Sequence, residues 1–144
     1  SPGSYGPNSA IINSALDMRN KSRDLTRKFP QMNGAYETVA SNIVGTGIRA
    51  IPKCDDKEIR NQIKELWDAW TEECDTENVN DLGLMLGLAV RERWEAGEVF
   101  IRHRPRPNDE DLTVPYQIQT LAAEHVPLDK NMVVGNGNYI VAGV

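Results

Sequence analysis

Two cysteines and two histidines are the only soft metal ligands besides methionine in these 144 residues, and their positions exclude more than they permit. Cys54, Cys74, His103 and His125 are scattered and match no zinc spacing, so a structural zinc is not expected. The cysteines cannot pair with each other. If one helix lies between them, they stand about 30 Å apart at 1.5 Å per residue, whereas a disulfide needs Cα atoms within roughly 7 Å. Free thiols suit a reducing, intracellular assembly environment. No apolar run approaches the length of a membrane span, so no membrane partner is expected. Nor is there a surplus of positive charge: a net charge of −5 argues against a chain that coats nucleic acid non-specifically.

Phosphate loops are missing too. "GTG" (45–47) and "GNGN" (135–138) could offer backbone amides, but phosphate cradles run from strand through glycines to helix. The first of these runs from helix to strand, and no Lys-Ser/Thr follows either. A nucleophilic cysteine would need a base beside it, and nothing designates one for Cys54.

What is present is the composition of a folded protein, 40% apolar and 26% charged, long enough for one ordinary core. The charge is unevenly placed. Residues 1–53 carry seven Lys/Arg against three Asp/Glu, a net of +4, and residues 54–98 carry five against thirteen, a net of −8. A basic block beside an acidic one suits association between copies, although a solvated surface explains it equally well. The chain opens "SPGSYGPNSA" without a methionine and stops in "NYIVAGV" in mid-strand, which leads us to expect a part of something larger.

Periodicity predicts an α+β fold with about four N-terminal helices packed on a small, mainly antiparallel sheet. Residues 1–8 are expected to be a flexible lead and residues 9–144 a single domain. In the first helix Ile11, Ala15, Met18, Leu25 and Phe29 fall on one stripe, while Arg19, Arg23 and Arg27 recur every four residues on another face. Pro30 starts a second helix, which Gly45 ends, and "GIRAIP" (47–52) runs on as a short strand. Asp55 and Glu58 form a capping-box-like pair for the third helix, whose stripe includes Ile59, Ile63, Leu66, Trp67 and Trp70. The loop "DTENVN" follows, and Asp81 caps a fourth helix, apolar on most sides and therefore central. From Glu98 the period changes to two: Val99, Ile101 and His103 share one face, and Phe100, Arg102 and Arg104 the other. "VPYQIQTL" is the returning strand of a hairpin with a long loop, and "NYIVAGV" is a last strand.

Gly45, Gly47 and Gly97 mark two helix–glycine–strand corners where a positive φ is expected. His103 should be a satisfied, partly buried histidine, and Trp67, Trp70 and Trp94 core or an intersubunit contact. Carboxylates for hydrolysis or Mg²⁺ could come from Glu95 with Glu98, or from Asp109, Glu110 and Asp111, although a solvated loop is the simpler reading of the latter. Two arginine groups carry more weight: Arg19, Arg23 and Arg27 on the helix, and Arg102, Arg104 and Arg106 on the strand. They could contact DNA, which makes a nucleic-acid-binding module the alternative function. Aromatic interleaving and helix-turn-helix patterning are missing, however, so salt bridges to the acidic helices, within a copy or between copies, are favoured.

Four blocks then occur in a familiar order. "SRDLTRKFPQMNGAYETVASNIVGTGIRAIPK" (22–53), "LWDAWTEECD" (66–75), "LAVRERWEAGEVFIRHRPR" (88–106) and "VPYQIQTLAAEHV" (114–126) together resemble the N-terminal region of lambda-type bacteriophage portal proteins. The resemblance implies a structural subunit of a ring, typically of twelve copies, at the capsid vertex through which DNA is packaged and ejected. It implies no enzyme activity and no cofactor, since the terminase supplies ATP hydrolysis. The implied partners are other copies of the chain, capsid protein, terminase and head-completion proteins. The implied location is the virion, after assembly in the host cytoplasm. The blocks match the family's outer wing region, which puts direct DNA contact by these residues in doubt.

Overall fold

The computed structural model of the chain describes residues 7–107, 111–126, 130–135 and 138–140. Four helices come first: α1 (Pro7–Lys28), α2 (Pro30–Val44), α3 (Lys57–Glu73) and α4 (Leu82–Ala96). Strands β1 (Phe100–Pro105) and β2 (Tyr116–Leu121) form an antiparallel hairpin with Phe100 opposite Leu121 and Pro105 opposite Tyr116. A single 3-10 turn (Ala123–His125) leads to a second antiparallel pair, β3 (Met132–Val134) and β4 (Asn138–Ile140). The α+β expectation therefore holds, with two small ladders.

Helix ends follow local chemistry. Pro30 occupies the first turn of α2, where its missing N–H leaves nothing unsatisfied. Asp81 caps α4 by accepting from the Leu84 amide at 2.7 Å. The cap of α3 corrects the sequence reading by one residue: Asp56, not Asp55, accepts from the amides of Glu58 (2.8 Å) and Ile59 (3.3 Å). An N-cap carboxylate bonds the second or third amide of its helix, and from Asp56 those amides belong to Glu58 and Ile59. α1 begins at Pro7, earlier than expected; residues 1–6 of the anticipated lead lie outside the described residues.

The stretch after α2 is also corrected. "GIRAIP" joins no strand among the described residues. Pro52 has no amide hydrogen to donate to a ladder. The β2 edge opposite β1 is already engaged by residues 74–76: the Ile118 amide donates to the Cys74 carbonyl at 2.8 Å, and the Thr76 amide to the Ile118 carbonyl at 3.2 Å.

The apolar core sits where α3, α4 and β2 meet. Cys74, Leu82 and Met85 are buried there, with Trp67, Trp70, Leu86 and Ile118 packed round them. The Trp70 indole N–H donates to the Tyr116 carbonyl at 2.7 Å and its ring stacks on the Tyr116 ring. That tie welds the last turns of α3 to the hairpin. Trp94 is 56% exposed and is not core. α4 is central as expected, packing against α1, α2 and α3, although Leu84 and Leu88 face outward.

Gly45, Gly47 and Gly97 all take positive φ, at 54°, 84° and 88°. Nothing lies within 4 Å of where a Cβ would stand at any of them, so the demand for glycine is conformational, not steric. Gly97 is the left-handed cap of α4, donating its amide to the Arg93 carbonyl. Replacing Gly97 by Val should lower stability by about 1–3 kcal/mol, because a β-branched residue is strained at positive φ. Gly97→Asn, which tolerates that region, should lose much less. Thermal melts of the two variants check this; equal melting of Gly97→Val and the parent contradicts it.

Candidate functional site

On the arginine stripe of α1, Arg19 and Arg23 face the rest of the molecule. Among the described side chains of α1, Arg19 and Thr26, both polar, are the buried ones. Arg19 pairs with Glu98 just past the end of α4; its Nε finds no acceptor among the described residues. One turn on, Arg23 reaches three carboxylates. It donates to Glu92 at 2.6 Å, to both oxygens of Glu124 at 2.7 and 2.8 Å, and stands 3.6 Å from Glu95. Arg91 of α4 pairs with Glu37 of α2 and stands 3.7 Å from Glu95. Charge thereby ties α1, α2, α4 and the 3-10 turn together.

The protonation states follow from this geometry. Hydrogen bonding to Glu124 pushes the Arg23 guanidinium well above its ordinary range, despite an opposing cost of burial. The same bond holds the Glu124 carboxyl below the usual glutamate value. An arginine shared by several carboxylates, partly shielded from water, is stronger than an exposed pair of the kind worth about 0–1 kcal/mol. Arg27, the third member of the stripe, is exposed and makes no ion pair among the described residues.

The strand arginines do something different. Arg102 donates to the Gln119 amide oxygen at 2.6 Å, and Arg106 to that of Gln117 at 2.9 Å; Arg104 is half-buried between them. Among the described residues, no acidic side chain forms a salt bridge with Arg102 or Arg104. Salt bridges to the fourth helix and the glutamate just past its end thus account for Arg19 and Arg23, and not for Arg102 and Arg104. His103 also departs from expectation: it is exposed, though satisfied by the Tyr116 hydroxyl.

Two polar residues of structural weight escaped the sequence reading. Gln117 is buried, and its Nε2 reaches the carbonyls of Glu73 and Asp75, each at 2.9 Å, and the Asn78 side-chain oxygen at 3.2 Å. Asp75 is buried at the start of the α3–α4 loop, where it accepts from the amides of Glu77, Val79 and Asn80 and from the Asn80 side chain. Burial pushes the Asp75 carboxyl up, but those bonds outweigh it and hold it below the ordinary range. An aspartate bonding the amide two residues on is a recognisable turn signal. Gln117 gave none, since it alternates with apolar residues as a solvent-facing residue does.

Glu95 and Glu98 are engaged by arginines instead of facing a common metal or substrate. Asp109 and Glu110 lie outside the described residues, as do positions 136 and 137 of the "GNGN" stretch. No group of three metal-ligating side chains occurs among the described residues. A groove of about 750 Å³ runs between residues 46–52 and α3. Arg49, Arg60 and Lys64 line it with Asp68, Glu72 and Asp81, but no histidine or cysteine does.

The latch sets an acid dependence. Because the folded state lowers the Glu124 value, its stabilisation is complete above the ordinary 4.5 and drains away as pH falls through the lowered value. Glu124→Gln should therefore melt below the parent at neutral pH, and the gap should close on acidification towards about pH 3. Melting curves across that range check this; a constant gap would assign Glu124 a packing role instead.

No curated protein matches the chain. A family model does, over residues 1–144, and its description is phage portal protein, lambda family. No helix among the described residues is long and apolar enough to cross a membrane. The family is a structural one of the phage capsid, and the helix-then-hairpin order found here carries the four sequence blocks in their family sequence. With the match spanning the whole of it, the chain belongs to the lambda family of phage portal proteins.

Proposed function

We propose that this chain forms the outer, wing-like part of a portal subunit, in a head-to-tail ring at the capsid vertex through which phage DNA is packaged and ejected. The observation that carries the reading is the family match over residues 1–144. The fold supports it in a second way. Large apolar side chains such as Met18, Ile51, Val79 and Trp94 are more than half exposed, a surface suited to burial between subunits.

In this reading capsid protein, terminase and head-completion proteins meet the assembled ring, and the subunit itself catalyses nothing. Residues 9–144 act as one domain, with the glycine corners and the arginine latch setting how its helices meet the hairpin. A nucleic-acid-binding module is the weaker reading. Two of the three helix arginines are already held by carboxylates of the same chain, which leaves fewer cations for phosphate.

Negative-stain electron microscopy of the full-length gene product, after size-exclusion chromatography in moderate salt, tests the proposal. Rings with a central channel are expected. A monodisperse monomer or dimer, unchanged across salt and concentration, overturns it.

A further inference from the structure

Two helices present apolar stripes that nothing among the described residues covers. On α1, Ile11, Met18 and Leu25 repeat every seven residues and Phe29 continues the line. On α3, Ile59, Ile63 and Leu66 stand at i, i+4 and i+7. All seven are between 42% and 67% exposed. At about 100° per residue, the α1 stripe lies roughly a quarter-turn from Arg19, so the latch that holds α1 to α4 leaves the stripe facing outward. At its start, Ile11 and Met18 border a groove of about 500 Å³ together with the exposed Trp94 ring. On α3 only the C-terminal half, through Trp67 and Trp70, reaches the core; the stripe is the part that overhangs.

The two helices carry opposite charge. With Arg19 and Arg23 already held by carboxylates of the same chain, α1 keeps Lys21, Arg27 and Lys28 against Asp17 and Asp24, a net of +1, and α3 has three Lys/Arg against five Asp/Glu, a net of −2. No α3 side chain is engaged in an ion pair among the described residues. Like-with-like contact would set +1 against +1 or −2 against −2, whereas unlike contact covers both stripes and brings opposite charges together. A closed ring also requires two different faces, because a self-complementary contact stops at a dimer.

We infer that the α1 stripe of one copy packs against the α3 stripe of the next, a head-to-tail helix contact that recurs round the ring. The inference rests on the ring reading above and specifies which surfaces meet. Apolar side chains supply the seam, and the net charges select the partner and its orientation.

Cross-linking in the full-length protein tests it. In a Cys54→Ser background, with buried Cys74 retained, Met18→Cys and Ile63→Cys are made separately and together, then treated with a short bis-maleimide. The double variant should give a ladder of covalent oligomers, a mixture of the two single variants should give a dimer, and neither single variant alone should give a product. A product from either single variant alone overturns the unlike pairing. Rings seen by electron microscopy with no product in any sample overturn this contact and leave the ring reading standing; absence of rings in the parent overturns both. Charge gives an independent readout at an already exposed position. Met18→Glu should weaken ring assembly on the order of tenfold more than Met18→Lys, since it sets an acid against acidic α3. Equal effects of the two substitutions overturn the charge selection.

Discussion

The Arg23 guanidinium, shared among Glu92, Glu95 and Glu124, is the contact on which the arrangement of helices depends. Among the described side chains of α1, the buried ones are polar, Arg19 and Thr26, while Ile11, Leu16, Met18 and Leu25 are exposed. The seat that they describe on α4 is electrostatic and directional. Apolar burial would tolerate rotation of α1 about its axis; a fork of N–H donors aimed at fixed carboxylates does not.

This division of labour leaves apolar surface available for assembly. The apolar cluster among the described residues gathers Cys74, Leu82 and Met85 with Trp67, Trp70, Leu86 and Ile118 packed round them, and it holds α3, α4 and the hairpin. Burying a group of charges is costly unless each finds its partner. Here the partners come from different elements: Glu92 and Glu95 from α4, Glu98 from its end, and Glu124 from the turn after β2. The chain cannot satisfy Arg23 until α1, α4 and the 3-10 turn are all in place, so the network couples distant parts of the sequence. Membership of the portal family gives the outward apolar stripes a natural role, because a ring subunit has neighbours on both sides.

Much of the fold was legible because its elements are punctuated locally. Pro30, Asp81, Gly45 and Gly97 mark helix ends by the backbone chemistry that each residue permits, and the change from helical spacing to alternation after Glu98 marks the hairpin. What failed depended on contacts distant in sequence. The "GIRAIP" segment has the alternation of a strand, but pairing needs a free edge, and residues 74–76 occupy the β2 edge opposite β1. Trp94 has the spacing of a core residue and stands on an outward face. The salt bridges favoured for the helical arginines form at Arg19 and Arg23, and among the described residues none forms at Arg27 or reaches α3. Their acceptors could not be read off, since Glu98 and Glu124 lie 79 and 101 residues away from Arg19 and Arg23. Gln117 was invisible for the same reason: its burial is set by the loop that folds over it.

Hydrogen exchange resolved by helix tests the central claim, that charge seats α1, most directly. The comparison is between the parent protein and Arg23→Met, which keeps the length of the side chain and removes its charge. The account predicts that α1 loses protection selectively, while α3, α4 and the β1–β2 hairpin keep theirs, because the apolar core does not include Arg23. Unchanged protection in α1, or an equal loss across all four helices, would contradict it.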